Sequence, residues 1–200
     1  MSFLILIPAL FAALQLITRK YIFSALTTLS CAAISAKNAP VLAAALAISA
    51  VGDWFMSHKG HHQKLYIAGI AFFLLGHALF IVQAILRIRA MGRPHALAGS
   101  LIAGGVLSAV MIAYLLMRVL PMVPKLMKLP VALYTLISLA SFTCALMTGD
   151  VLYAVGIALL LFSDTMIGES DFAGNRRAGP LILPTYYLCH ILVALSALLR

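Results

Sequence analysis

The stretch LYIAGIAFFLLGHALFIVQAIL, Leu65–Leu86, decides how this chain folds. It holds no Lys, Arg, Asp or Glu between Lys64 and Arg87. As a helix it covers about 33 Å, enough to cross a hydrocarbon core of about 30 Å. Outward from it, apolar runs bounded by charges, Pro or Gly-polar clusters recur: Phe3–Thr18, Tyr21–Ala36, Ala39–Met56, Leu97–Met117, Leu129–Met147, Val151–Ile167 and Leu181–Leu199. Eight such helices take about 160 residues at about 20 each, out of 200. The composition agrees, with 64% hydrophobic and 10% charged residues and a mean hydropathy of +1.10. Soluble domains average about half apolar and a quarter charged. The expectation is all-α: a polytopic integral membrane helical bundle of about eight transmembrane helices, forming a single domain over residues 1–200. No soluble catalytic or nucleic-acid-binding domain fits in the remaining loops. The first two spans are short, and reading them as one broken helix across Arg19-Lys20 would give seven.

Fourteen Lys and Arg against five Asp and Glu give a net charge of +9. In a membrane protein this excess sets topology rather than nucleic-acid binding. With eight spans, one side carries Arg19, Lys20, Lys59, Lys64, Arg118, Lys125, Lys128, Arg176 and Arg177; the other carries Lys37, Arg87, Arg89, Arg93 and Arg200. The richer side is the better cytoplasmic candidate, which places both termini outside. Cys31, Cys144 and Cys189 lie inside apolar runs with no CxxC spacing, so they read as small hydrophobes. The first span lacks a basic lead and a cleavage site, so it reads as a retained helix.

The third span ends in Ala-Val-Gly52-Asp53-Trp-Phe-Met and the seventh in Leu-Phe-Ser163-Asp164-Thr-Met-Ile. The offset is 164 − 53 = 111 residues, with four spans between the copies. An even number makes the halves parallel, the pattern of two four-helix repeats related by an axis along the membrane normal.

Asp53 and Asp164 reach the same depth, in the membrane half nearer the richly basic side. Intramembrane carboxylates are costly unless paired or hydrated, and so are functional candidates by default. The bland alternative sets each just past its helix end among the headgroups. Tyr134, Tyr186, Tyr187 and His190 fall in the same half, and His77 is the deepest basic group. The tyrosines equally suit an interfacial belt, and His77 equally suits a packed, hydrogen-bonded imidazole. The string His58-Lys-Gly-His61-His62 has ligand-like spacing, but no carboxylate follows to orient a ligating His, so no metal is expected. Asp150, Glu169 and Asp171 read as surface charges, with Asp171 paired to Arg176 and Arg177.

The chain resembles the YhhN-like lysoplasmalogenase family of small eight-helix membrane proteins. The resemblance rests on Lys37-Asn-Ala-Pro40, Gly52-Asp53, Gly69 with Phe73 through Gly76-His77 and Phe80, Gly156 through Phe162-Ser163-Asp164, and Pro184 with Tyr186-Tyr187. His190 departs from it, standing where an amide such as Gln is expected. The resemblance implies hydrolysis of the vinyl ether bond of lysoplasmalogens, giving a fatty aldehyde and glycerophosphoethanolamine or glycerophosphocholine. No cofactor is expected, and the substrate is a lysophospholipid drawn from surrounding membrane lipids; with the charge asymmetry, the expected location is a bacterial inner membrane with the site nearer the cytoplasmic leaflet.

Vinyl ethers hydrolyse by protonation of the carbon–carbon double bond, water attack on the oxocarbenium ion and collapse of the hemiacetal. Two carboxyls suffice, one protonated as general acid and one ionised to stabilise the cation and activate water. Asp53 and Asp164 are the expected pair, with His77, Tyr134, Ser163, Tyr186, Tyr187 and His190 expected to orient substrate, water or the acids. The rival reading is a proton-coupled small-molecule or lipid transporter that uses the same Asp pair as a relay. A noncatalytic scaffold would need neither Asp.

Overall fold

Eight helices account for nearly all of the computed structural model, which describes residues 2–60 and 62–199. His61, in the discounted metal string, and Arg200, counted among the loop charges, lie outside the described residues. A short 3-10 turn, Ser2–Ile5, leads into α1 (Leu6–Thr18), followed by α2 (Ile22–Ser35), α3 (Pro40–Ser57), α4 (Gln63–Ala90), α5 (Leu97–Tyr114), α6 (Lys125–Met147), α7 (Val151–Asp171) and α8 (Gly179–Leu198). The last turn of α5 continues as a π-helix over Leu115–Val119. No strand occurs among the described residues.

Six helices, α3 to α8, are long and apolar enough to cross a membrane. The first two are apolar but shorter, at 13 and 14 residues, or about 20 Å each. Arg19 separates them in the left-handed conformation (φ 57°), so they are two helices and not one broken one. Helix starts follow local chemistry. Pro40 sits at the first position of α3, where its missing N–H costs nothing. The Asp150 side chain caps α7 by accepting from the Tyr153 N–H at 3.0 Å.

Without water between the helices, close approach depends on small residues, and here glycines supply it. A Cβ on Gly76 would meet Ser49 Oγ at 2.8 Å, one on Gly69 would meet the Met56 side chain at 2.9 Å, and one on Gly52 would meet the Phe73 ring at 3.1 Å. These three seat α4 on α3. Gly156 does the same for α7 on α8, where a Cβ would meet Val193 at 2.6 Å and the Cys189 carbonyl at 3.2 Å.

The packing repeats with the echo noted above. Within the first half α1 packs on α2, α2 on α3 and α3 on α4; within the second α5 packs on α6, α6 on α7 and α7 on α8. Across the halves α4 packs on α6 and α8 on α2, which are equivalent pairs when α1–α4 is laid on α5–α8. The α1–α8 contact has no counterpart of similar extent between α5 and α4. The arrangement is that of two four-helix units with the same packing order, joined where the second helix of each packs on the fourth helix of the other.

Two polar features at the ends depart from the sequence expectation. Arg87, counted as a loop charge, is 5% exposed inside the bundle. Its Nη1 donates to Asp150 at 2.6 Å, its Nη2 donates to Ser196 Oγ at 3.0 Å, and its guanidinium lies 4.4 Å from the centre of the Tyr153 ring. Asp150 is therefore not a surface charge but one half of a buried ion pair joining α4, α7 and α8. It became one because α4 runs on past Leu86 through Arg87 and Arg89 to Ala90.

Candidate active site

Four helices each turn one face, and α3 adds Met56, toward an apolar cavity in the half of the bundle nearer the richly basic ends. Tyr66, Ile70 and Phe73 come from α4, and Met111, Tyr114 and Leu115 from α5. Val131, Tyr134, Thr135 and Ser138 come from α6, and Leu161, Asp164, Thr165, Gly168 and Phe172 from the α7 side. Spacings of three and four residues keep each set on one helix face, which is why they converge. Asp164 is the one carboxylate in this lining among the described residues.

Asp164 lies about two turns from the end of α7 and meets His77 of α4. The imidazole is 1% exposed, and its Nε2 lies 3.4 Å from Asp164 Oδ2, 3.2 Å from the Tyr134 hydroxyl and 3.2 Å from Ser138 Oγ. An imidazole nitrogen has either one hydrogen or one lone pair, so Nε2 serves one of these three at a time. When it carries the proton it donates to Asp164, and the hydroxyls satisfy one another or the carboxyl. The Tyr134 hydroxyl is itself beside Asp164. His77 Nδ1 is buried with no hydrogen-bond partner among the described residues.

Asp53 heads a second group. Its Oδ2 accepts from Thr28 Oγ1 at 2.9 Å, with Ser24 one turn earlier on α2 and Tyr186 of α8 beside it. The Tyr186 and Tyr187 hydroxyls are buried near Asp53 without a hydrogen bond of good geometry among the described residues. Both rings belong to the bundle core and neither to an interfacial belt. The His190 ring packs edge-on against Tyr186 at 4.2 Å, and its Nδ1–H donates to the Tyr186 carbonyl at 2.8 Å. Ser163 faces away from either carboxylate: its hydroxyl donates to the Ile182 carbonyl at 3.0 Å and ties α7 to α8.

The two groups obey the repeat. Asp53 on α3 is served by α2 and α8, and Asp164 on α7 by α6 and α4. Access differs between them, since Asp164 lines the cavity and Asp53 does not. No hydrogen bond joins the two carboxylates among the described residues.

A sequence model of the YhhN family matches residues 6–197, nearly the whole chain. The chain belongs to the YhhN family. No curated protein and no solved structure matches it. The glycines and histidine that carried the family resemblance acquire physical roles in this YhhN chain: Gly52, Gly69, Gly76 and Gly156 set helix spacing, and His77 meets Asp164.

At the mouth of the cavity the YhhN chain holds groups that sequence reasoning placed elsewhere. Glu169 is 7% exposed and accepts from the Tyr114 hydroxyl and from Asn175 Nδ2 at 2.8 Å, with Arg118 Nε 3.4 Å away. Asp171 pairs with Lys59 and accepts from the Tyr66 hydroxyl at 2.8 Å; neither Arg176 nor Arg177 forms a salt bridge with it among the described residues. Both acids read as surface charges because the apolar run stops at Ile167, whereas α7 continues to Asp171. The available signal was the face itself: Leu161, Asp164, Gly168 and Phe172 recur at helical spacing through that boundary.

Proposed function

We propose that this YhhN protein hydrolyses the vinyl ether bond of lysoplasmalogens in the membrane, releasing a fatty aldehyde and the glycerophospho-headgroup. One observation carries the reading: a carboxylate in contact with an imidazole lines an apolar cavity whose mouth is ionic. That order suits a single-chain ether lipid, whose headgroup stays at the basic face while its first chain bonds sit about two turns deeper.

Asp164 is the acid in this reading. Its carboxylic acid gives the proton to the vinyl carbon distal to oxygen, and the double-bond electrons form the new C–H bond. The resulting oxocarbenium ion faces the Asp164 carboxylate, which stabilises it and takes a proton from the water that attacks the carbon next to oxygen. The hemiacetal then collapses: Asp164, reprotonated by the attacking water, gives that proton to the glycerol oxygen as the C–O bond breaks, and takes up the hemiacetal hydroxyl proton as the aldehyde C=O forms. One carboxyl thus serves as acid and then as base. His77 and Tyr134 hold it in place, while Asp53 sits at the equivalent point of the other half, outside the cavity lining. The two-carboxyl division of labour expected from the sequence would instead give Asp53 a direct part in the reaction. The site operates from the leaflet at the richly basic side, taken as cytoplasmic in a bacterial inner membrane.

Aldehyde release from a lysoplasmalogen by purified protein in detergent, with chelator present, tests the reading. Asp164→Asn is expected to lower kcat by about 10³-fold, the scale of losing positioned acid–base catalysis. Asp53→Asn is expected to lower it by about tenfold, since the amide keeps the Thr28 contact. Absence of aldehyde from folded wild-type protein would refute the hydrolase. Proton-coupled flux in vesicles would then favour the transporter, whose two parallel halves each hold an acid. Equal loss in both variants would restore a shared catalytic pair.

A further inference from the structure

The cavity mouth combines features that neither the fold nor the acid–base site requires. Tyr66, Tyr114 and Phe172 line it where the ends of α4, α5 and α7 meet. The Tyr66 and Phe172 rings stack at 5.7 Å, and Asp171 fixes Tyr66 by accepting its hydroxyl proton. An ammonium already occupies this corner: Lys59 Nζ lies 5.2 Å from the centre of the Tyr66 ring and pairs with Asp171. An aromatic face beside a carboxylate is the chemistry that binds amines and quaternary ammonium groups. The Lys59 side chain is 35% exposed, and a partly exposed ion pair is weak enough to exchange partners.

Arg118 supplies the opposite charge. Its side chain is 56% exposed, and it touches Glu169 only through Nε at 3.4 Å, so its two terminal amino groups form no salt bridge among the described residues. A guanidinium fork with free donors matches a phosphate. Glu169 is buried and held by Tyr114 and Asn175 and so forms wall, whereas the Asp171 side chain is 20% exposed and is the acid that can face a ligand.

We propose that this mouth is a binding subsite for a zwitterionic ammonium–phosphate headgroup, with the ammonium against Tyr66, Phe172 and Asp171 in the place of Lys59, and the phosphate on Arg118. The apolar cavity below takes the single chain. The subsite deepens the hydrolase reading by naming what selects its substrate, but binding at the mouth does not depend on the chemistry deeper in.

The test therefore uses ligands that cannot react. Full-length protein in detergent is titrated calorimetrically with three saturated ethers of one chain length: 1-O-alkylglycerophosphocholine, 1-O-alkylglycerol phosphate and 1-O-alkylglycerol. Wild type is expected to bind the phosphocholine about fivefold more tightly than the bare phosphate, the scale of one partly exposed cation–π contact. Asp171→Asn and Phe172→Leu are each expected to erase that difference. Arg118→Gln is expected to weaken both phosphate ligands about fivefold and leave the alkylglycerol unchanged. Equal affinity of wild type for all three ligands would overturn the subsite, as would variants that weaken all three alike. Headgroup-selective binding together with no aldehyde from a lysoplasmalogen would refute the hydrolase and leave the subsite standing.

Discussion

His77 is the residue on which the site turns, because one ring nitrogen faces Asp164, Tyr134 and Ser138 at once. If its task is to hold the Asp164 carboxyl by donating to it, a side chain that keeps an N–H there should keep part of the activity. His77→Gln is expected to lower kcat about tenfold and His77→Leu by about a hundredfold or more, with KM little changed in either. Equal losses in the two variants would mean the ring acts by shape alone. The residue scale is also where the sequence spoke most clearly. A His at mid-helix and two Asp at matching depths are costly in lipid, so their presence alone flags them. Ser163 belongs to the motif Phe162-Ser163-Asp164, but adjacent residues on a helix point about 100° apart, and its hydroxyl serves α8 instead. Thr28 and Ser138 gave no signal, since a lone hydroxyl in an apolar helix commonly bonds its own backbone.

At the scale of the element, helix ends were the hardest feature to read. A charge ends an apolar run but does not end a helix, and a helix that runs past its charges carries them into the structure. That happened at the end of α4 with Arg87 and at the end of α7 with Glu169 and Asp171. Where the extension leads inward, the charge must find a partner, because burying it alone costs several kcal/mol. Arg87→Leu is therefore expected to destabilise the protein by about 3–5 kcal/mol, since it leaves Asp150 without the buried guanidinium. The α7 cap offsets part of this, as Asp150 still accepts from the Tyr153 N–H. Lys59→Ala, which opens a partly exposed pair at the other end, is expected to cost under about 1 kcal/mol. Thermal unfolding in detergent followed by circular dichroism compares the two, and a Lys59 variant as damaged as the Arg87 variant would contradict this assignment of buried and exposed charge.

For the whole molecule the organising fact is the packing of helices across two halves of the same order, with α4 against α6 and α8 against α2. Each Asp is served by one helix of its own half and one of the other, so neither half can build its polar group alone. The link between them, from Met91 to Ala96, is short and lies at the face away from the cavity; Gly92 there has a positive φ of 75° and open space around it. Cutting the chain at Gly92 removes no packing contact of the cavity. Co-expressed fragments 1–92 and 93–200 are thus expected to co-purify through the α4–α6 and α2–α8 interfaces and to retain at least about a third of wild-type aldehyde release, whereas either fragment alone should show none. A second cut between α6 and α7, at Gly149, should fail, because it frees the Asp150 cap and the Arg87 pair together. Independent stability or activity of residues 1–92 would mean that the halves are separate domains, and the shared polar groups described here would then lose their structural basis.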